Sequence, residues 1–148
     1  MNMDKNSITQ RFPYFFKMES GDEEWYESKG IIDITELDEV SKELLAAATV
    51  YAKEVLVEPD ENEFTACTCD FMFGATWYFT NIHILKKLPN KQAENAIIIA
   101  QIKYSKQDCE NVFPDEDWTL AETYNFISES KSFFLDGVQW ALNKNISE

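Results

Sequence analysis

Residues 64–87, FTACTCDFMFGATWYFTNIHILKK, and residues 93–104, AENAIIIAQIKY, decide the fold that the sequence predicts. At every second position from Thr65 to Phe73 the chain carries Thr, Cys, Cys, Phe and Phe, whereas the positions between them are mixed in character. A strand places such positions on one face. The run from Ile97 to Ile99 is β-branched throughout, as is typical of a strand covered on both faces. We therefore predict that these segments form the centre of a β-sheet.

Gly74 interrupts the first stretch. We interpret it as a bulge in one long bent strand or as the turn of a hairpin. A further strand is predicted from Ala75 to Leu85, and Pro89-Asn90 is interpreted as the turn that leads to a strand over residues 96–104. Residues 31–34 are predicted to form a short strand earlier in the chain.

Two segments predict helices. From Thr35 to Val57 the apolar residues recur at intervals of three and four, which gives one apolar stripe. Thr119 and Glu122 have the spacing of a capping box, so a second helix is predicted to start there. Residues 131–142 allow two interpretations, the continuation of this helix or a hairpin around Asp136-Gly137, and we favour the helix.

The predicted fold class is α+β, a mainly antiparallel sheet of about four or five strands packed by two helices. The sequence contains no internal repeat, linker or low-complexity tract. We therefore expect residues 1–148 to form a single globular domain. For the aromatic segment Phe12–Phe16 we favour packing across the sheet, with a partner-binding lip as the alternative.

The net charge of -14 arises from 27 acidic residues set against 13 basic ones. A nucleic-acid-binding protein needs Lys and Arg to replace phosphate counterions, and anionic lipid also repels an acidic chain. The charge therefore argues against both and favours a basic protein partner or, alternatively, serves only solubility. Residues 64–85 are long enough to span a bilayer, but Asp70, Asn81 and His83 argue against a membrane segment.

The sequence predicts no cofactor, no metal and no enzymatic activity. Cys67, Cys69, Cys109 and His83 are zinc-ligand types, yet a Cys-x-Cys pair on a strand does not form a zinc-binding turn. Phosphate-binding glycine loops and nucleophile or metalloprotease motifs are absent from the sequence. Because the cysteine count is odd and the N-terminus lacks an apolar signal-peptide core, we expect a cytoplasmic protein.

Two acidic clusters surround large aromatic residues and are the candidate partner-binding residues. Aromatic groups anchor protein interfaces, and charges accelerate the encounter. The candidates are Asp22, Glu23, Glu24, Trp25, Tyr26 and Glu27 in the first cluster and Asp115, Glu116, Asp117 and Trp118 in the second.

In size, acidity, aromatic content and lack of a catalytic signature, the chain resembles small bacterial immunity proteins, the antidotes of toxin–immunity systems. The resemblance is at the level of class, and no family motif assigns individual residues. It implies a monomer that forms a heterodimer with a basic toxin domain, often a nuclease, and blocks the active site or substrate groove of that toxin.

Two alternatives share the small size and the acidity. Type III secretion chaperones also mix helices with a sheet, although they usually begin with a helix, and a homodimer would favour them. An acidic decoy that mimics DNA would carry carboxylates in regular rows, whereas lysines are mixed into the predicted helix over residues 35–57.

Overall fold

The structure, a computed structural model, describes residues 12–33, 41–112 and 119–147. Over these residues the chain forms five α-helices, a short 3-10 helix at Pro13–Phe16, and no β-strand. The α-helices are α1 (Asp22–Ser28), α2 (Lys42–Val55), α3 (Glu61–Leu85), α4 (Asn90–Val112) and α5 (Leu120–Ser147).

The predicted antiparallel sheet and the predicted α+β fold class are both wrong. Every regular element in the described part of the chain is a helix. All of the residues from Thr65 to Leu85 belong to the single helix α3. The alternation between Thr65 and Phe73 covers too few residues to exclude a helix. Buried positions of α3 recur instead at the helical intervals of three and four, as at Cys67, Phe71, Gly74, Tyr78, Asn81 and Leu85.

Several smaller interpretations change with the fold. The side chain of Asp60 accepts a hydrogen bond from the backbone N–H of Glu63 at 2.8 Å, so Asp60 is the N-cap of α3, and a helix begins where the sequence predicts the sheet. Residues 96–104 lie within α4, where Ile99 is buried and Ile98 is 51 % exposed. Residues 31–33 form no strand, and Ile34 lies outside the described residues.

The two helix predictions are confirmed where the structure describes them. Helix α2 has Ser41 as its N-cap and ends at Val55, and the predicted start of this helix at Thr35 lies outside the described residues. At α5 the capping box forms, with the Glu122 carboxylate accepting from the Thr119 N–H at 3.0 Å and the Thr119 hydroxyl accepting from the Glu122 N–H at 3.1 Å. Residues 131–142 continue α5 as a helix rather than forming a hairpin.

The long helices alternate in direction along the chain. Tyr51 of α2 packs on Phe71 of α3, whereas the earlier Leu44 lies beside the later Thr76, so these helices are antiparallel. Helices α3 and α4 show the same pattern of contacts. Asp70 of α3 contacts Tyr104 of α4, whereas the later Trp77 lies beside the earlier Ala100, so these helices are also antiparallel.

Helices α4 and α5 are antiparallel as well, since Asp108 contacts Ser130 and the earlier Tyr104 contacts the later Phe134. It follows that α3 and α5 run in the same direction at the centre of the molecule. They cross at Gly74 and Gly137, where the two backbones touch.

The close crossing depends on glycine. A Cβ atom at Gly74 would collide with the backbone carbonyl of Phe134, and one at Gly137 would collide with the carbonyl of Phe71. The crossing therefore explains Gly74, which is neither a bulge nor a hairpin turn. Around it lies the main core, which includes Trp77, Tyr78, Ile99 and Val138 among its buried side chains.

The N-terminal aromatic segment contributes both to the core and to the surface. Phe16 is buried with Ile102, Cys109 and Ile127, whereas the side chain of Tyr14 is 87 % exposed. The Lys131 ammonium donates a hydrogen bond to the Phe15 carbonyl at 2.9 Å, which ties the segment to α5. None of the described helices combines the length and the apolar character that a bilayer span requires.

Candidate partner-binding site

Helix α1 presents the first predicted acidic cluster. Its N-cap is Gly21, whose φ of 87° is a backbone conformation that favours glycine. The side chain of Asp22 accepts a hydrogen bond from the Glu19 N–H at 3.0 Å, while Glu23, Glu24 and Glu27 are exposed. The helix therefore carries three carboxylates toward solvent.

Tyr26 fixes this helix to the body of the protein. Its side chain is 1 % exposed, and its hydroxyl donates a hydrogen bond to Asp33 Oδ1 at 2.6 Å. The same hydroxyl accepts a hydrogen bond from Trp77 Nε1 at 3.1 Å. Burial, together with the hydrogen bond to Asp33, raises the pKa of Tyr26 well above its usual value, so the hydroxyl keeps its proton across the physiological range.

The segment after α1 is attached by a side-chain amide. Asn81, buried in α3, accepts a hydrogen bond from the Ile32 N–H at 2.8 Å and donates one to the Ile32 carbonyl at 2.9 Å. This paired contact satisfies both backbone polar groups of Ile32, which lies outside any helix. It places Asp33 beside α4.

Lys103 of α4 is the cation of this region. Its ammonium lies 3.2 Å from Asp33 Oδ2 and 3.4 Å from Glu23 Oε1, and 5.2 Å from the centroid of the Tyr26 ring. Burial lowers the pKa of Lys103, but the two carboxylates raise it by more, so the net direction is upward. Lys103 is therefore charged at neutral pH and holds α1 against α4.

A small cavity opens beside this ion pair. It has a volume of about 80 Å³ and lies between Asp33 and helices α3, α4 and α5. The apolar side chains that line it are Phe73, Trp77, Ala100 and Phe134, and the polar ones are Asp33, Lys103, Tyr104 and Gln107. A crevice with an aromatic floor and a charged rim is the kind of feature that holds an anchoring side chain at a protein interface.

The remaining predicted site residues divide into two groups. Trp25 is half-buried against the core, with the Lys29 ammonium 5.9 Å from its ring centroid. Tyr26 is internal and holds α1 in place, so the surface of the first cluster consists mainly of its carboxylates. The second predicted cluster, Asp115, Glu116, Asp117 and Trp118, lies outside the described residues.

A second group of carboxyls is buried where α3, α4 and α5 meet. Asp70 is 4 % exposed and accepts a hydrogen bond from the Tyr104 hydroxyl at 2.5 Å, and Asp108 accepts one from the Ser130 hydroxyl at 3.0 Å. Burial and the nearby Asp108 raise the pKa of Asp70 well above its usual range, and burial raises that of Asp108. Because Asp70 is enclosed, its carboxyl group is not part of the surface that a partner could contact.

The histidine and the three cysteines, which are the candidates for nucleophilic or metal chemistry, differ in their exposure to solvent. His83 is exposed, whereas Cys67 and Cys109 are buried and Cys69 is half-buried. Burial raises the pKa of Cys67 to about 12, which leaves the thiol protonated and poorly nucleophilic. Among the described residues no group of three or more His, Cys, Asp or Glu side chains is arranged to hold a metal ion.

The sequence does not predict that Asp33 and Lys103 belong to this region. They are far apart in the chain and meet because α1 and the segment after it fold onto α4. No local motif signals that contact. Comparison of the chain with protein families, with curated proteins and with solved structures finds no match.

Proposed function

We propose that this protein is an immunity protein that binds and neutralises a basic toxin domain. One observation carries the proposal: α1 holds Glu23, Glu24 and Glu27 toward solvent while the buried hydroxyl of Tyr26 fixes its position. A rigid acidic surface loses little conformational entropy when it binds. It also attracts a basic partner over distances comparable with the Debye length.

The overall charge supports the same proposal. At -14 the chain repels nucleic acid and anionic lipid, whereas it attracts the basic domains that act on nucleic acid. A nuclease toxin is such a domain. Its active site must bind phosphate, so an acidic surface is suited to cover it.

The test is affinity capture from the source organism followed by a protection assay. The wild-type chain is expected to retain a basic protein that dissociates as salt is raised, and to protect cells that express that protein. The variant Glu24→Lys/Glu27→Lys should lose both activities. The control is Glu54→Lys/Glu94→Lys, which makes the same change in net charge at exposed positions of α2 and α4, and it should keep most of the binding.

Two results would contradict the proposal. One is capture of a basic protein whose toxicity the wild-type chain leaves unchanged. The other is a homodimer in light scattering that retains an amphipathic secreted protein, which would favour a secretion chaperone. Equal loss of binding in both double variants would show that net charge alone matters and that α1 is not the contact surface.

A further inference from the structure

The cavity beside α1 has two chemically different parts. Its floor is aromatic and is formed by Phe73, Trp77, Tyr104 and Phe134. The rings of Tyr104 and Phe134 are stacked, with their centroids 4.8 Å apart. At about 80 Å³ it is larger than the space one water molecule occupies and smaller than most sites for whole small molecules. Its size suits a single side chain.

The ion-pair group at the cavity carries more negative than positive charge. Asp33 and Lys103 line the cavity, and Glu23 lies next to it, with its carboxylate 3.4 Å from the Lys103 ammonium. Two carboxylates therefore share one ammonium group. Both ion-pair distances, 3.2 and 3.4 Å, exceed those of short charge-assisted hydrogen bonds. The carboxylates are also partly exposed, with 40 % of the Asp33 and 54 % of the Glu23 side-chain surface open to solvent. A second cation can therefore approach both of them.

We propose that this cavity receives one arginine side chain of a basic partner, with its aliphatic stem against the aromatic floor and its guanidinium group on Asp33 and Glu23. The proposal rests on the proposed function and names the anchor that the partner would supply. In the bound state Lys103 moves away from Asp33 toward solvent and retains Glu23 as its nearest carboxylate.

Arginine fits both parts of the cavity better than the alternatives. Its planar guanidinium stacks on aromatic rings and pairs with carboxylates through several N–H donors. It is also less strongly hydrated than an ammonium group, so it loses less on entering a half-buried site. An apolar side chain would add no second cation for the two carboxylates that share Lys103, and an acidic one would be repelled by Asp33.

The test uses a fragment of known chemistry on the full chain. Nα-acetyl-arginine N-methylamide is titrated into the labelled protein while NMR follows the indole N–H of Trp77, which borders the cavity. We expect a saturable shift with a Kd of about 1 mM, the affinity expected for a fragment of this size. The norleucine analogue, which has an uncharged stem, should shift the same signal much less.

Two single variants separate the rim from the floor. Asp33→Asn keeps an oxygen that can accept from Tyr26 but removes the charge, and it should weaken arginine binding about threefold or more. Lys103→Gln removes the competing cation and should strengthen binding by about twofold to fivefold. Each variant is first required to give a dispersed NMR spectrum like that of the wild type.

The outcomes decide the proposal without reference to the partner. No shift of the Trp77 signal, an equal shift with norleucine, or weaker arginine binding in Lys103→Gln would overturn it. The cavity proposal would also be overturned if a basic toxin is captured and neutralised but binds the Asp33→Asn and Lys103→Gln variants as tightly as the wild type. That result would leave the proposed function intact. Arginine binding in the cavity without any captured partner would leave the cavity proposal standing and remove the proposed function.

Discussion

At the scale of single residues, the sequence leaves open whether a polar side chain is exposed or buried, and the fold decides it. Tyr26 illustrates this. Its neighbours Glu24, Trp25 and Glu27 suggest an exposed surface residue, but its hydroxyl lies between Asp33 and Trp77 inside the protein. Sequence context identifies the charged patch, whereas the partners of Tyr26 are distant in the chain and leave no local signal.

Asp70 gives a prediction about pH at this scale. Its folded pKa is raised by burial and by the negative charges of Asp108 and Glu129, against the lowering effect of the Tyr104 hydrogen bond. A carboxyl with a raised folded pKa contributes its full stability below the unfolded value, which is about 4. That stability is lost as the pH rises through the folded value.

We therefore expect Asp70→Asn to remove part of the decline in stability with rising pH. Asparagine keeps an oxygen that accepts from Tyr104 and has no charge to bury, so the variant should be more stable than the wild type at neutral pH. The measurement is urea unfolding from acid to neutral pH. Asp60→Asn, at an exposed cap that asparagine also serves, is the control, and it should not stabilise the protein at neutral pH. A variant that is less stable than the wild type throughout would refute this account of Asp70.

At the scale of elements, the sheet prediction fails for a physical reason. Helix α3 is enclosed on most of its circumference, so its sequence lacks a clean apolar stripe and its β-formers dominate the local pattern. The length of the uninterrupted segment and the Asp60–Glu63 cap are the signals that favour a helix. By contrast, the spacing of Thr119 and Glu122 predicts a capping box at the start of α5, and the helix prediction there is confirmed.

The crossing of α3 and α5 gives the second prediction. Alanine in place of glycine normally stabilises a helix by up to about 1 kcal/mol, but at Gly74 the new methyl group would meet the Phe134 backbone. We expect Gly74→Ala to destabilise the protein by about 3 kcal/mol, measured by urea unfolding. Ser132→Ala, at an exposed position of α5, is the control and should change stability by less than about 0.5 kcal/mol. A stabilised Gly74→Ala variant would show that the helices do not touch there.

The capping box at the start of α5 gives the third prediction. Thr119→Ala removes the oxygen that accepts from the Glu122 N–H, and it should cost about 1 kcal/mol of stability. Thr119→Ser keeps the hydroxyl and should restore most of that loss. Thermal unfolding of the three proteins measures the effect. Equal destabilisation by alanine and serine would mean that the methyl group, rather than the hydrogen bond, matters.

At the scale of the whole molecule, the alternating helices separate the charges. Where α2 ends and α3 begins, the chain carries Glu58, Asp60, Glu61 and Glu63, and α5 adds Glu122 at the same end. Among the described residues the opposite end carries Lys86, Lys87, Lys91 and Lys144, of which Lys144 is paired with Glu43. A basic partner is thus attracted to the carboxylates of α1 and of the acidic end and is repelled from the lysine-bearing end. The net charge can be taken from the sequence, but this separation depends on how the helices run.

The measurement that tests the central claim most directly is the association rate of the captured toxin with the wild type and both double variants at low and physiological salt. We expect the wild-type rate to fall about tenfold as salt rises. Glu24→Lys/Glu27→Lys should associate more slowly and respond less to salt than the control Glu54→Lys/Glu94→Lys. Equal rates and equal salt dependence for the two variants would contradict the claim that α1 is the surface that binds the basic partner.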